Sequence, residues 1–474
     1  MAQRRGKARG ALKAVLLAGV MAVSGPVTVA AETLADALVS AYGHSGLLDQ
    51  NRALLRAADE DVAIANAELK PVLTYAADIT RSFGESRAGA PFFQVQQLEG
   101  TSMTITLIAE QLLYDFGASA YAVEAAKETV LATRQSLISI EQQVLLRAVA
   151  AYMGVIEASE FVALRDNNLR LLTQELRAAR DRFDVGEVTR TDVALAEAQL
   201  AQARSGLATA QGNLLIAIEE FRNVVGRKPG RLTPPPRLPS LGPLDAAKAL
   251  AVRAHPALLA AQHQVASADL RIRQAEAAMS PRITLEGRLS IEDTFNSREY
   301  RENGTVGINL RAPIYQGGEL SARARKAMAQ RDAQRGNLHV VRHDVQQNVG
   351  NAYARLTSAQ ASLEASERQI RAARIAFRGV REEATLGART TLDVLDAEQA
   401  LLDAEAARIS AQAQLYVAAY TVLASKGQLT VKALALPVQT YDASEYYNLV
   451  KDSPAKMSKQ GRQLDRVLRA LQKD

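Results

Sequence analysis

Residues 281–291, Pro-Arg-Ile-Thr-Leu-Glu-Gly-Arg-Leu-Ser-Ile, contain the pattern that decides the fold. After the proline, an apolar residue occurs at almost every second position, at Ile283, Leu285, Leu289 and Ile291. The side chains of a β-strand point alternately to its two faces, so this pattern predicts a strand with one apolar and one polar face. Strands of this kind occur in half-buried soluble sheets and in transmembrane β-barrels, and the pattern alone leaves both open.

Three further segments show the same alternation and are predicted to be strands. Their apolar residues are Leu73, Tyr75, Ala77 and Ile79 in the first segment, Met103, Ile105 and Leu107 in the second, and Val306, Ile308 and Leu310 in the third. The chain therefore carries four amphipathic strands, two in each half.

The two strand pairs belong to an internal repeat. Residues 69–74 recur as residues 279–284, at an offset of 210, and residues 113–117 recur as residues 314–318, at an offset of 201. The second offset then holds for more than a hundred residues. Nine additional residues in the first half lie between these two matches, and we expect a loop to absorb them. Repetition of this length predicts two related structural units.

Long helices are predicted after each strand pair. Proline is absent between Gly117 and Val185 and between Gly318 and Leu386. Apolar side chains follow the spacing of packed helices, as at Val144, Ala148, Ala151 and Val155. An unbroken helix of about 67 residues would be roughly 100 Å long. Shorter helices are predicted at 47–69 and 245–279, each ending before a proline.

The resulting organisation has five parts. A signal peptide is predicted at 1–31, because a basic start is followed by a short apolar stretch and by small residues at the cleavage position. The first repeat then covers 32–226, a proline-rich linker 227–243, the second repeat 244–429, and an equatorial segment with a basic C-terminal tail 430–474. From Lys451 onward we expect a disordered or loosely attached tail.

Composition excludes several classes of function. The net charge is +6, but five basic residues lie in the predicted signal peptide, which leaves the mature chain near +1 and argues against nucleic-acid binding. The chain has no cysteine, hence neither disulfides nor thiolate metal ligands. His339 and His343 are four residues apart but lack the glutamate of a zinc-protease motif. We therefore expect no catalytic residues, no metal and no cofactor, and a protein that is not an enzyme.

Four strands cannot close a barrel, and an open sheet edge is not tolerated in lipid. Two to four copies of the chain would supply enough strands, and the residues alone do not choose among these numbers. One alternative is a periplasmic coiled-coil scaffold or adaptor without a membrane barrel. A surface hydrolase with long helical decorations is another, although no nucleophile is evident in the sequence.

Two related turn motifs follow the long helices. Residues 182–193 read Arg-Phe-Asp-Val-Gly-Glu-Val-Thr-Arg-Thr-Asp-Val, and residues 386–397 read Leu-Gly-Ala-Arg-Thr-Thr-Leu-Asp-Val-Leu-Asp-Ala. Together with Pro-Ile-Tyr-Gln-Gly-Gly at 313–318 and the duplicated strand and helix units, these motifs resemble the TolC family of outer-membrane efflux and type I secretion channels. The resemblance covers the mature chain up to about Gly427.

This resemblance implies a mixed α/β membrane protein that forms a homotrimer. Each chain would contribute four transmembrane strands to a 12-stranded barrel, and long antiparallel coiled-coil helices would form a periplasmic α-barrel. The resemblance also implies a passive exit duct in the outer membrane of a Gram-negative bacterium, surrounded by outer-membrane lipid. A periplasmic adaptor protein and an inner-membrane ABC or proton-driven transporter would recruit it, and the pump would decide the cargo.

The resemblance also assigns a periplasmic gate near the turn glycines Gly186 and Gly387. Asp393 and Asp396 match positions that form carboxylate rings at the mouth in the family. Arg389 matches an arginine that bridges to a neighbouring protomer at a Thr-Asp pair, here Thr191 and Asp192. A tyrosine three residues before the second turn glycine in the family is Ala384 here, so we expect closure to depend more on Arg389 and Asp192.

Overall fold

A computed structural model describes residues 31–87, 95–295, 298 and 300–471 of the chain. The predicted signal peptide lies outside the described residues except for Ala31. Within the described parts, no helix is both long enough and apolar enough to cross a membrane.

The first repeat consists of four helices and two strands. In chain order they are α1 (Leu34–His44), α2 (Gly46–Ala67), β1 (Val72–Arg87), β2 (Val95–Tyr114), α3 (Ala118–Asp184) and α4 (Arg190–Val225). The second repeat has the same order, α5 (Leu244–Ala254), α6 (Pro256–Ala277), β3 (Arg282–Phe295), β4 (Tyr300–Arg311), α7 (Glu319–Thr385) and α8 (Thr391–Ser425). Two further helices, α9 (Ala443–Val450) and α10 (Lys459–Leu471), follow.

The long helices agree with the prediction from the absence of proline. Helices α3 and α7 each contain 67 residues and run unbroken from one turn to the next. Each begins after a glycine in the left-handed region, Gly117 at φ 91° and Gly318 at φ 85°. Glycine adopts this conformation without steric cost, which explains the glycines at both strand-to-helix junctions.

The predicted helix at 245–279 is wrong in one respect, because it is divided into α5 and α6 at His255 and Pro256. Proline has no backbone N–H to donate and is suited to the first position of a helix, so a new helix starts there. The imidazole of His255 caps this start, since its Nδ1 accepts a hydrogen bond from the Ala257 N–H at 3.2 Å. Helix α1, which begins with a capping box between Thr33 and Asp36, was not predicted.

The additional length of the first half was assigned to a loop, and this was also wrong. Strands β1 and β2 contain 16 and 20 residues, whereas β3 and β4 contain 14 and 12. Extending both strands of a hairpin keeps every backbone group of the added residues paired. Most of the extra length is therefore strand.

The four strands form one antiparallel sheet in the order β1-β2-β3-β4. Val72 pairs with Glu110, Ile105 with Ile291, and Arg282 with Arg311. Strands β1 and β4 are the edges of this sheet as described. Along both edges the apolar side chains are exposed: Leu73 69%, Tyr75 66%, Ile79 67%, Phe83 83%, Val306 82%, Ile308 68% and Leu310 65%.

The helices pack into two antiparallel hairpins, α3 with α4 and α7 with α8, and the hairpins meet mainly where α8 lies against α3. The largest buried cluster lies midway along α3, where Tyr152 and Leu145 contact α1, the end of α4 at Phe221 and the segment around Leu429. This cluster holds the C-terminal ends of α4 and α8 near the middle of α3, and the two turns lie at the opposite ends of α4 and α8.

The C-terminal segment is more ordered than expected. Asn66 of α2 donates a hydrogen bond to the carbonyl of Lys451 at 2.7 Å, and Tyr446 donates to Glu60 at 2.6 Å. Beyond it, α10 has Leu464, Val467 and Leu468 on one side and arginines on the other. This is helical spacing, so the expectation of disorder was wrong over α10.

Candidate functional site at the hairpin tips

The two turns that join the long helices have nearly the same backbone. Gly186 has φ 81° and Gly387 has φ 76°. In the first turn the N–H of Glu187 donates to the carbonyl of Arg182 at 2.9 Å, and in the second the N–H of Ala388 donates to the carbonyl of Glu383 at 2.9 Å. These bonds satisfy the last carbonyls of α3 and α7, and a glycine in the left-handed region lets the chain reverse there.

The helices that leave the turns begin with identical capping boxes. Asp192 accepts hydrogen bonds from the N–H and the hydroxyl of Thr189 at 2.9 and 2.7 Å. Asp393 accepts the same two bonds from Thr390, both at 2.9 Å. The side-chain and backbone bonds from Thr189 lower the pKa of Asp192, and the bonds from Thr390 lower that of Asp393. Both carboxylates are therefore held ionised and fixed in position.

Arg389 lies in the second turn and pairs within its own chain. Its Nε donates to Oε2 of Glu383 at 2.9 Å, and both side chains are about half exposed. An exposed pair of this kind contributes little to stability, because water screens it. The guanidinium is consequently available to exchange this partner for another at little cost.

The structure brings several of the predicted gate residues together in one place. A cleft of about 990 Å³ lies between the two turns, and Gly186, Asp192, Gly387 and Arg389 line it. Ala384 lines the same cleft in place of the family's tyrosine. Thr191, Asp393 and Asp396 lie outside this lining. Thr191 and Asp396 are exposed, and Asp393 is half-buried in its cap.

A polar contact between the hairpins, a few turns above the tips, was missed from the sequence. Glu398 of α8 is buried, with 4% of the residue exposed, and accepts a hydrogen bond from the Asn168 side chain of α3 at 2.8 Å. Arg381 of α7 forms an ion pair with Glu175 of α3 at 3.1 Å. The internal repeat could have drawn attention to these residues, because Arg180 and Glu197 in the first half recur as Arg381 and Glu398.

The environment of Glu398 disfavours its ionised form. Burial raises the pKa of Glu398 from 4.5 to about 7, and the nearby charge of Glu175 acts in the same direction. The hydrogen bond from Asn168 and the charge of Arg381 oppose this rise only in part. Such a carboxyl group changes its charge near neutral pH.

Among the described residues, no group of three or more His, Cys, Asp or Glu side chains has an arrangement that could hold a metal ion. His339 and His343 are both exposed on α7. The polar groups at and near the tips instead form two helix caps, the exposed ion pair between Arg389 and Glu383, and the contact between Asn168 of α3 and Glu398 of α8.

Comparison with known families gives one match that covers most of the chain. The family model described as outer membrane efflux protein matches residues 38–227 and 249–428. The two matched stretches correspond to the two repeats and omit the linker between them.

Relatives and solved structures agree with this match. The chain is 37% identical over 447 residues to outer membrane efflux protein BepC of Brucella suis, covering 93% of this chain and 94% of the relative. It is 25% identical to outer membrane protein TolC of Escherichia coli over 81% of this chain and 82% of that protein. The Campylobacter jejuni CmeC outer membrane channel has the same fold, with a TM-score of 0.73 at 15% identity over 89% of each chain.

Proposed function

The chain belongs to the outer membrane efflux protein family, and on that premise we propose that it is the passive exit duct of a tripartite efflux or type I secretion system. The resemblance to the TolC family, stated above on the turn motifs, is confirmed by this membership. The protein is an outer-membrane channel with a β part in the membrane and a helical part in the periplasm.

The exposed apolar sheet is the observation that carries this proposal. Phe83 at 83% and Val306 at 82% exposure are typical of side chains that face lipid rather than water. The edge strands β1 and β4 also carry backbone groups that must be paired before the sheet can lie in a bilayer. Pairing β4 of one copy with β1 of the next satisfies these groups and closes a barrel. A coiled-coil scaffold without a barrel has no use for such a sheet.

The internal repeat supports assembly from copies of the same chain. One groove lies on the second hairpin, between Ala359 of α7 and Val417 of α8, and α3 covers it with Met153 and Glu157. At the offset of 201 the first hairpin has a matching groove between Ala158 of α3 and Ile216 of α4, and no other helix in the described parts of the chain covers it.

The uncovered groove is more apolar than a water-exposed surface needs to be. Ile216 in the groove is 69% exposed and its neighbour Leu215 is 65% exposed, whereas their counterparts Val417 and Tyr416 are half-buried. Applying the offset to the covering side chain Met153 places Ala354, on α7 of a second copy, over this groove. Each hairpin would then be flanked in the same way on both sides, and the ring closes as the homotrimer that the family resemblance implies.

We place the periplasmic mouth at the hairpin tips. In a trimer the three copies of Asp393 and Asp396 surround a common axis, and their summed charge favours cations there. Arg389 is then positioned to leave Glu383 for Asp192 and Thr191 of the neighbouring chain. A periplasmic adaptor and an inner-membrane ABC or proton-driven transporter would dock around this mouth, and the transporter would select the cargo.

Measurements of stoichiometry and of conductance together test the proposal that the protein is a trimeric exit duct. The mature protein in detergent should have the mass of three chains and should form ion-conducting channels in planar bilayers. Since the chain has no cysteine, an Ile216→Cys/Ala354→Cys variant should form disulfides between copies and give a covalent trimer on denaturing gels.

Each single-cysteine variant serves as the control and should not give the covalent trimer. A stable, conducting monomer would contradict the shared barrel. A monomer that is soluble without detergent and does not conduct would instead favour the coiled-coil scaffold.

A further inference from the structure

The repeat-related pairs Arg180–Glu197 and Arg381–Glu398 have different partners. In the first hairpin Arg180 pairs with Glu197 across α3 and α4 at 2.5 Å, with both side chains about half exposed. In the second hairpin Arg381 turns instead to Glu175 of α3, and Glu398 contacts Asn168. The arginine that could neutralise Glu398 therefore neutralises another carboxylate.

This leaves a buried carboxylate without full compensation. Oε1 of Glu398 accepts from Asn168, but Oε2 is buried and meets no hydrogen-bond donor in the described parts of the chain. Glu175, with 15% of its side chain exposed, brings a second carboxylate close to it. Two acidic groups thus share one arginine inside a helix interface, where an ionised group without partners is costly.

Several other charged groups along these helices have partners of their own. Arg374 of α7 pairs with Glu405 of α8 at 3.0 Å, and Arg408 of α8 lies 3.7 Å from Glu160 of α3. On the α4 side, Glu197 is held by Arg180. When Glu398 is ionised, its surroundings therefore compensate its charge only in part.

We propose that Glu398 is a proton-sensitive residue of the entrance, which holds α8 against α3 when protonated and loosens that contact when ionised, so that a more acidic periplasm favours the closed duct. This inference rests on the proposed function. Glu398 follows the Thr390 cap by eight residues, about 12 Å along α8. Because α8 and α3 form the main contact between the two hairpins, weakening it there lets the tips separate.

The direction of the pH effect on opening follows from proton linkage. In the packed state the pKa of Glu398 is about 7, and a carboxyl freed into water returns to its ordinary value of 4.5. The packed state therefore binds the proton more tightly and is favoured at low pH, and this advantage is lost as pH rises through about 7. Each unit of pKa difference is a tenfold change in the equilibrium. The ratio of open to closed states should rise at least about tenfold between pH 5.5 and 7.5.

Single-channel recordings in planar bilayers at these two pH values test the inference. The wild type should open more at pH 7.5, whereas Glu398→Gln, which cannot ionise but can keep an oxygen for Asn168, should stay mostly closed with less than about a twofold change. Glu364→Gln is the matched control, because Glu364 pairs with Arg368 on an exposed part of α7, and it should behave as wild type.

Hydrogen exchange of segments 165–178 and 392–402 in detergent gives a readout that needs no conductance. After correction for the intrinsic pH dependence, exchange should rise between pH 5.5 and 7.5 in the wild type but not in Glu398→Gln. If that variant fails to assemble, Asn168→Leu provides a second test. It removes the hydrogen bond that favours the ionised form of Glu398, so the midpoint of the pH-dependent opening should move to higher pH.

The outcomes separate the two proposals. Conducting channels with the same pH response in the wild type and Glu398→Gln overturn this inference alone, as does an unshifted midpoint in Asn168→Leu. A protein that never conducts but shows the pH-dependent exchange contradicts the duct and leaves the proton-sensitive contact standing.

Discussion

Tyr152 and Tyr353, which lie 201 residues apart, fasten their two long helices to opposite ends of the same proline-rich linker. The hydroxyl of Tyr152 donates to the carbonyl of Thr233 at 2.7 Å, and that of Tyr353 donates to the carbonyl of Leu241 at 2.9 Å. A linker rich in proline has few N–H groups for secondary structure, and its carbonyls need side-chain donors. The repeat therefore supplies one donor from each half.

Removing the first hydroxyl should be the more damaging change. Tyr152 is fully buried, so Tyr152→Phe leaves an unpaired carbonyl in the core and should lower the free energy of unfolding by about 1–2 kcal/mol per chain. Tyr353 is half-exposed and water can replace its hydroxyl, so Tyr353→Phe should cost less than about 1 kcal/mol. Measuring the free energy of unfolding of both variants in detergent tests whether Tyr152→Phe is the more damaging change. Equal losses would show that the burial of the bond does not matter.

The turn glycines should be sensitive to a single methyl group. Gly387 has φ 76° with open space around it, so Gly387→Ala should cost about 1–2 kcal/mol through backbone strain alone. Gly379 provides the control, because it lies within α7, also in open space but without positive φ. Gly379→Ala should raise stability by about 0.5–1 kcal/mol. Thermal unfolding of the two variants should move in opposite directions, and a parallel shift would contradict the strain argument.

Arg389→Ser should raise single-channel conductance, since it removes the proposed contact to Asp192 of the neighbouring chain. Asp192→Ala should do the same, and the double variant should show no additive gain because both changes remove one contact. Glu383→Gln separates this contact from the pair within the chain and should leave conductance unchanged. If Glu383→Gln instead has the effect of Arg389→Ser, or if the two gate substitutions add fully, the interchain contact is wrong.

The carboxylates at the mouth should govern ion selectivity. Asp396 is exposed, and Asp396→Asn should lower the preference for cations and weaken block by multivalent cations, with a larger effect when Asp393 is also replaced. Since its cap lowers the pKa of Asp393 below the ordinary value of 3.8, the contribution of Asp393 to selectivity should persist at acidic pH values at which an ordinary aspartate is already protonated. Reversal potentials in a salt gradient measure both effects. Asp403→Asn, further along α8, is the control and should leave them unchanged.

Local patterns in the sequence were sufficient for most of the fold. Alternation of apolar and polar residues located all four strands, and the absence of proline located α3 and α7. Both signals depend on the backbone period and steric limits of single residues, so they can be read without knowing any distant contact. The constant offset of 201 likewise identified the two turns, which have the same caps and the same left-handed glycines.

Only the tertiary structure decided which partners the polar side chains take. Arg381 and Glu398 occupy the positions of Arg180 and Glu197, yet the packing of α8 on α3 gives them different partners and buries Glu398. Likewise Arg389 contacts Glu383, six residues away in its own chain, a choice that the motif did not contain. The sequence determined the elements because their causes are local. The pairings between them, and the proton sensitivity that follows, depend on which helices meet and how much water they exclude.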